Sequence, residues 1–196
     1  MKTVLPVCLL LAAVVGAVRA QNPAPIPGFL DVPWGASVEE AKKIFPKRSG
    51  ARLDRARSTD DELRFIGGKF AGMRAHSFYL QFVNGRFWKA DARVENQSAG
   101  HEAEFAALKK LMVEKYGPAE NDNPAGSVRV LDWNVEAGPG LEKNHLSLSA
   151  DPKGDGAVVM YACDRMRKEA GQAGPKTDPG KTSKPIKVGA SAKDDL

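Results

Sequence analysis

The stretch from Phe70 to Glu95 constrains the fold most. Two segments of strand character, Phe70–Val83 and Arg86–Glu95, are joined by Asn84-Gly85, a dipeptide that readily takes the left-handed backbone of a tight hairpin turn. A chain with this stretch near its centre must build an antiparallel sheet. The register follows from what each pairing does to the two faces. A two-residue Asn84-Gly85 turn pairs Leu80 with Lys89 and Phe78 with Asp91 and puts charges on the apolar face. A three-residue Val83-Asn84-Gly85 loop pairs Leu80 with Trp88 and Phe78 with Ala90 and keeps Val94 on the same face. Because a one-residue slip turns every side chain over, the second register is the one expected.

Around this hairpin the punctuation is regular. Phe29–Val32 reads as a short strand before Pro33-Trp34-Gly35. Ser37-Val38-Glu39-Glu40 has the form of a capping box, and Val38, Ala41, Ile44 and Phe45 recur at helical spacing until Pro46, which should end the helix. Leu63–Ile66 is a strand candidate. A second helix is expected from about Gly100 to Tyr116, with an apolar stripe of Phe105, Leu108, Leu111, Met112 and Tyr116 and a stop at Gly117-Pro118. Val128–Val135, the alternation of Leu146, Leu148 and Ala150, and Ala157–Cys163 complete the strands, with Asp151–Gly156 as a polar turn. The order strand, helix, three strands, helix, three strands predicts an α+β fold of tandem helix-plus-antiparallel-meander (αβββ-like) units, 29–96 and 97–167, with the helices packed on the sheet. The whole region 29–167 is long enough for one self-sufficient core.

The ends read differently. Lys2, an apolar run from Val4 to Val18, and small residues at Val18 and Ala20 give residues 1–20 the form of a secretory signal peptide. Residues 21–28, with Pro23, Pro25 and Pro27, read as an extended lead-in. Residues 168–196, rich in Gly, Pro and Lys, read as a disordered tail. Once the leader is removed Cys163 is the remaining cysteine, so a disulfide framework within one chain is excluded and packing must carry the stability. Leader and cysteine usage together predict a periplasmic or secreted bacterial protein with no transmembrane segment after cleavage. A net charge of +5, partly carried by Lys2 and Arg19 of the leader, does not point to nucleic acid.

The segment Val32-Pro33-Trp34-Gly35-Ala36-Ser37-Val38-Glu39-Glu40 resembles the opening of uncharacterised exported bacterial proteins, whose mature domain starts with a strand, a Trp-Gly pair and a Ser-x-x-Glu helix start. Lys115-Tyr116-Gly117-Pro118, followed by Trp133 and Leu146-Ser147-Leu148, looks like the second half of that pattern. The layout is also similar to small envelope adaptor modules and to the secreted inhibitor of β-lactamase. These motifs are caps and turns, so the resemblance implies a fold and transfers no site residue.

Constellations that carry chemistry are missing from the sequence. His76, His101 and His145 lack short metal-ligand spacing, and no nucleophile elbow, phosphate-binding glycine loop or calcium loop is present. No catalytic residue, metal site or cofactor is assigned. Cys163 reads as a small core residue; pairing it with His145 as a nucleophile would need a thiolate-stabilising environment that a strand interior does not supply. Two features suit binding. Lys42, Lys43, Lys47, Arg48, Arg52, Arg55 and Arg57 crowd one stretch in which Asp54 is the one acid, and Trp34 at the helix entrance, with Tyr79 and Phe87 on the outward face of the hairpin, are candidates for an exposed patch. Trp88 and Trp133 read as core. The function expected is a non-enzymatic binding or adaptor protein of the bacterial envelope, contacting another envelope protein or an anionic surface. The alternative is an enzyme inhibitor that presents Pro118–Gly126 or Ala137–Gly140, or an enzyme whose site has no recognised motif.

Overall fold

The computed structural model describes residues 25–95, 102–125, 128–136, 143–150 and 156–172. The expected signal peptide, residues 21–24 of the lead-in, the turn at 151–155, the loop Ala137–Gly140 and the tail from 173 onward lie outside the described residues.

The chain begins with a small ladder, β1 (Gly28–Phe29) against β2 (Val32–Pro33). Leu30 and Asp31 between them have φ of 44° and 67°, a conformation that costs a side-chain-bearing residue about 1–3 kcal/mol and persists only when its surroundings enforce it. Gly28 is obligatory for close approach: a Cβ there would lie 2.0 Å from the Val32 carbonyl oxygen.

Helix α1 (Val38–Ser49) starts at the capping box. The Ser37 hydroxyl accepts from the Glu40 amide, and the Glu40 carboxylate accepts from the Ser37 amide and from the Ser37 hydroxyl, each at 2.8 Å; the two bonds it accepts hold the Glu40 carboxyl below its usual pKa. The helix does not stop at Pro46. It continues to Ser49, and Gly50 closes it at φ 69° by donating to the Pro46 carbonyl at 2.9 Å. A proline this close to the C-terminus removes only one donor, the one that would reach the Lys42 carbonyl, so the last turn survives.

Then follow β3 (Arg52–Leu53), a short 3-10 turn at Arg55–Arg57, β4 (Glu62–Ile66), β5 (Lys69–Phe70), β6 (Met73–Val83) and β7 (Arg86–Glu95). After them come α2 (Glu102–Tyr116), β8 (Asn121–Ala125), β9 (Val128–Glu136), β10 (Lys143–Ala150), β11 (Gly156–Cys163) and α3 (Asp164–Gln172). The strands from β3 onward form one sheet in the order β3-β4-β6-β7-β11-β10-β9-β8, with β5 paired to the start of β6. Every pairing is antiparallel.

This corrects the expected α+β fold of tandem helix-plus-meander units. Among the described residues the protein is β-rich, 50% strand and 29% helix in three helices. The physical reason lies in two places. β7 and β11 pair along their length, from Gly156↔Glu95 to Ala162↔Lys89, so the sheet has no seam where two units would divide. The sequence reading also passed over strands made of turn-forming residues, above all β8, which is Asn-Asp-Asn-Pro-Ala yet is held at the sheet edge by its ladder to β9. α3 was missed as well: it runs through the boundary expected at 168, and its Met166 is buried.

The hairpin differs from expectation in an instructive way. Asn84 and Gly85 have φ of 49° and 71° and form a two-residue turn, with Val83 opposite Arg86 and Phe82 opposite Phe87. The three-residue loop is therefore incorrect. A bulge next to the turn then leaves Trp88 without an opposite residue, and the ladder resumes with Gln81↔Lys89, Leu80↔Ala90 and Phe78↔Ala92. One extra residue shifts the register so that the charges of β7 leave the apolar face despite the tight turn. Phe78, Leu80, Phe82, Ala90, Ala92 and Val94 share the buried face, and Trp88 at the bulge is half-buried rather than core.

Aromatic rings fill the centre. Phe45 of α1 lies 4.6 Å from Phe65 and 5.1 Å from Phe78 between centroids, and Phe29 lies 5.2 Å from Tyr161. Each such ring contributes roughly 1.5–3 kcal/mol through burial. The α2 stripe is buried except at Leu111, which is 42% exposed. Trp133 is core, and its indole donates to the Gly117 carbonyl at 2.9 Å. No helix among the described residues is long and apolar enough to cross a membrane.

Candidate functional site

The basic stretch is divided by the fold. Lys42 on α1, Arg52 on β3 and Arg55 on the 3-10 turn line a common open cleft of about 1030 Å³, together with Glu39, Asp54 and Asp60. Its outer wall is firmly built. Along the free edge of β4, the Asp54 amide donates to the Arg64 carbonyl and the Thr59 amide to the Glu62 carbonyl, each at 2.8 Å. The Ser58 hydroxyl donates to the Asp54 carbonyl at 2.8 Å and accepts from the Arg64 amide at 3.0 Å. Residues 54–59 thus cap a sheet edge and in doing so fix the backbone that carries Arg55 and Arg57.

The cleft lining sets three acids against three bases, but direct ion pairing reaches only part of it. Lys42 Nζ lies 2.7 Å from Glu39 Oε1, and this bond lowers the Glu39 carboxyl pKa. Asp54 faces Arg64 at 3.8 Å. Arg52, Arg55 and Arg57 are exposed, and no ion pair joins them to an acid among the described residues. Lys43 and Lys47 are exposed on α1, and Arg57 is exposed on the turn, outside the cleft lining. Arg48 belongs elsewhere: it pairs with Asp31 at 3.5 Å and lines a different groove.

The expected aromatic patch does not form. Phe87 is fully buried, its ring stacked 4.9 Å from Trp34, and its backbone is bonded to Gly35 and Ala36. The bulge at Trp88 explains this: it leaves Phe87 on the inner side, opposite Phe82. Tyr79 does point to the other face, but it is half-buried between the guanidinium groups of Arg64 and Arg93, 5.5 Å and 5.3 Å from its ring centre. It is held by cation–π contacts rather than displayed. Beside it, burial raises the Asp91 carboxyl pKa, against the pull of Lys89 at 3.4 Å.

Cys163 and His145 are not a dyad. Cys163 lies opposite Asn144, and His145 opposite Ala162, so alternation sends the two side chains to opposite faces of the sheet. His145 instead contacts Asp132 at 3.5 Å and Asn134 at 3.3 Å. His76 contacts Glu95 at 3.8 Å, and His101 lies outside the described residues. Among the described residues no three potential ligands gather as a metal site. Residues 121–125 of the expected inhibitory loop Pro118–Gly126 form strand β8.

One concavity was not legible from the sequence. A groove of about 330 Å³ runs between the Pro25–Leu30 segment and α2, with Phe70 and Tyr161 in its lining. Its residues come from five separate stretches, which read singly as lead-in, core or, for Arg48, part of the basic run, so no local signal in the sequence brings them together. No family model, curated protein or solved structure matches the chain.

Proposed function

We propose that the protein is an exported, non-enzymatic binding or adaptor protein of the bacterial envelope. It engages an acidic face of another envelope component through the cleft that Lys42, Arg52 and Arg55 line. The observation that carries this reading is the cleft's wall: Arg52 and Arg55 stand exposed and unpaired among the described residues, on a backbone pinned to the edge of β4. Guanidinium groups bind carboxylates and phosphates bidentately, and a pinned backbone leaves only their side chains to be ordered. Lys43, Lys47 and Arg57 extend the positive field around it. The leader-like residues 1–20 support export. Tyr79 and Phe87, given their surroundings, have no part in the contact.

The test is retention from envelope extract. Immobilised protein carrying Arg52→Ala, Arg55→Ala and Arg57→Ala is compared with the unaltered chain at about 50 mM and 300 mM salt, where the screening length falls from roughly 14 Å to 6 Å. A component retained by the unaltered chain at low salt and lost from the variant supports the proposal. Equal retention by both at low salt overturns it.

A further inference from the structure

The groove of about 330 Å³ stands apart from the basic cleft and is built for a different ligand. Its walls are apolar: Phe29, Phe70, Leu108, Met112 and the rings of Tyr116 and Tyr161. The polar atoms of that wall are turned on each other, since the two tyrosine hydroxyls lie 3.4 Å apart and both residues are buried. Burial pushes the Tyr161 phenol well above its ordinary pKa, which keeps that hydroxyl protonated against the wall.

The fourth wall is preformed. The Ile26 carbonyl accepts from the Trp34 indole and from the Asn144 side chain, each at 2.9 Å, which fastens the Pro25–Pro27 segment in place. The two-residue turn at Leu30-Asp31 is closed by the β1–β2 ladder, with the exposed Arg48–Asp31 pair across its outer side. A wall ordered in advance removes that cost from binding.

The mouth is cationic. Arg48 in the last turn of α1 and Lys115 in the last turn of α2 line both this groove and the depression adjoining it, where Asp31 is the acid. Leu111 stands at the rim 42% exposed, the one large hydrophobic side chain so exposed among the described residues. A volume near the lower limit of ligand pockets, roughly 300–1,000 Å³, excludes a docked helix about 10 Å across and suits a flexible chain. The geometry points to a site for a single-chain amphiphile with an anionic head group. Its acyl chain lies against Phe29, Phe70, Met112 and Tyr161, and its head group sits between Arg48 and Lys115.

The experiment titrates the full chain with dansyl-undecanoic acid and follows the rise in dansyl emission. Bound probe is then displaced with dodecanoate or dodecanol, each below its aggregation limit. Three variants are compared after thermal unfolding shows that they fold: Leu111→Glu, the pair Arg48→Glu with Lys115→Glu, and Lys47→Glu, which lies on α1 away from the groove lining. The site predicts saturable binding, with dodecanol about tenfold weaker than dodecanoate. It predicts a loss of about tenfold or more in Leu111→Glu and in the double reversal, and less than about twofold in Lys47→Glu. Flotation with phosphatidylglycerol vesicles tests the number of chains. Displacement by dodecanoate without flotation supports the single-chain site, and flotation lost in the double reversal shows a two-chain bilayer lipid instead and overturns it. Emission that does not saturate, equal displacement by dodecanol, or variants indistinguishable from the unaltered chain would overturn the proposal.

Discussion

Asn144 gives the sharpest test of how the N-terminal segment is held. It is 1% exposed in β10, its Nδ2 donates to the Ile26 carbonyl at 2.9 Å, and its Oδ1 has no partner among the described residues. Ile26 has a second donor, the Trp34 indole. Asn144→Leu keeps the volume and removes one hydrogen bond, worth about 1 kcal/mol net, while leaving the carbonyl paired; it also deletes a buried unpaired oxygen whose burial costs about 1–3 kcal/mol. The substitution is therefore expected to leave stability unchanged or to raise it by up to about 2 kcal/mol. Asn144→Asp has nearly the same shape but replaces the donor by a carboxylate facing a carbonyl, and an uncompensated buried charge costs about 3–5 kcal/mol. That loss depends on pH. The buried acid has a raised pKa in the folded state, so the penalty is absent below the ordinary aspartate value, where the protonated acid donates to Ile26, and grows as pH rises. Trp34→Phe combined with Asn144→Leu strips both donors and should cost about 1–3 kcal/mol beyond the sum of the single changes. Urea unfolding followed by the remaining tryptophan fluorescence, at neutral and acid pH, measures all of these. Equal losses for Leu and Asp at neutral pH, or an additive double variant, would refute the picture of one carbonyl shared by two donors.

Gly28→Ala should lower stability by more than about 2 kcal/mol, because the added Cβ would lie 2.0 Å from the Val32 oxygen; Gly72→Ala, at φ 81° with open space around it, should cost about 1 kcal/mol, and a reversed order in chemical unfolding would refute the packing of β1 on β2. Asp91 has a folded pKa raised above 3.8 by burial. The folded state therefore holds its proton more tightly, and stability attributable to this residue falls as pH rises from that value through the raised one. Asp91→Asn should remove that downward slope, and an unchanged pH profile of unfolding free energy would contradict it. Protein recovered from the periplasmic fraction of an expressing bacterium should have the intact mass of a chain starting at Gln21; a chain that keeps Met1 would contradict export through the leader.

Local chemistry was legible where one short signal decides one feature. Ser37 and Glu40 make the capping box, Gly117 takes φ 84° after α2, and Asn84-Gly85 forms a tight turn. Errors arose where two local rules compete and tertiary structure arbitrates. Turn chemistry favoured a two-residue hairpin, the apolar pattern favoured a shifted register, and the bulge at Trp88 satisfies both, which no pairing of unbroken strands allows. Phe87 was misplaced for that reason, and Tyr79 because its neighbours Arg64 and Arg93 come from two other strands. Composition hid β8, since Asn, Asp and Pro are tolerated at a sheet edge. In the candidate site, the basic residues were visible as a run, but which of them share a cleft depends on how 54–59 folds back on β4. Arg48, adjacent to Lys47 in sequence, ends at a different groove, beside Lys115 of α2.

The central claim is that the cleft wall at Arg52 and Arg55 is a contact surface for an acidic envelope component. The direct measurement places a photo-crosslinking benzoylphenylalanine at the exposed position 56, which lines the cleft and leaves both arginines in place, and separately at the exposed position 114 of α2, which does not line the cleft, and irradiates intact expressing cells. The proposal predicts an adduct of defined mass from position 56, absent from position 114 and lost when Arg52→Ala is added. The same adducts from both positions, or none from position 56, would contradict it.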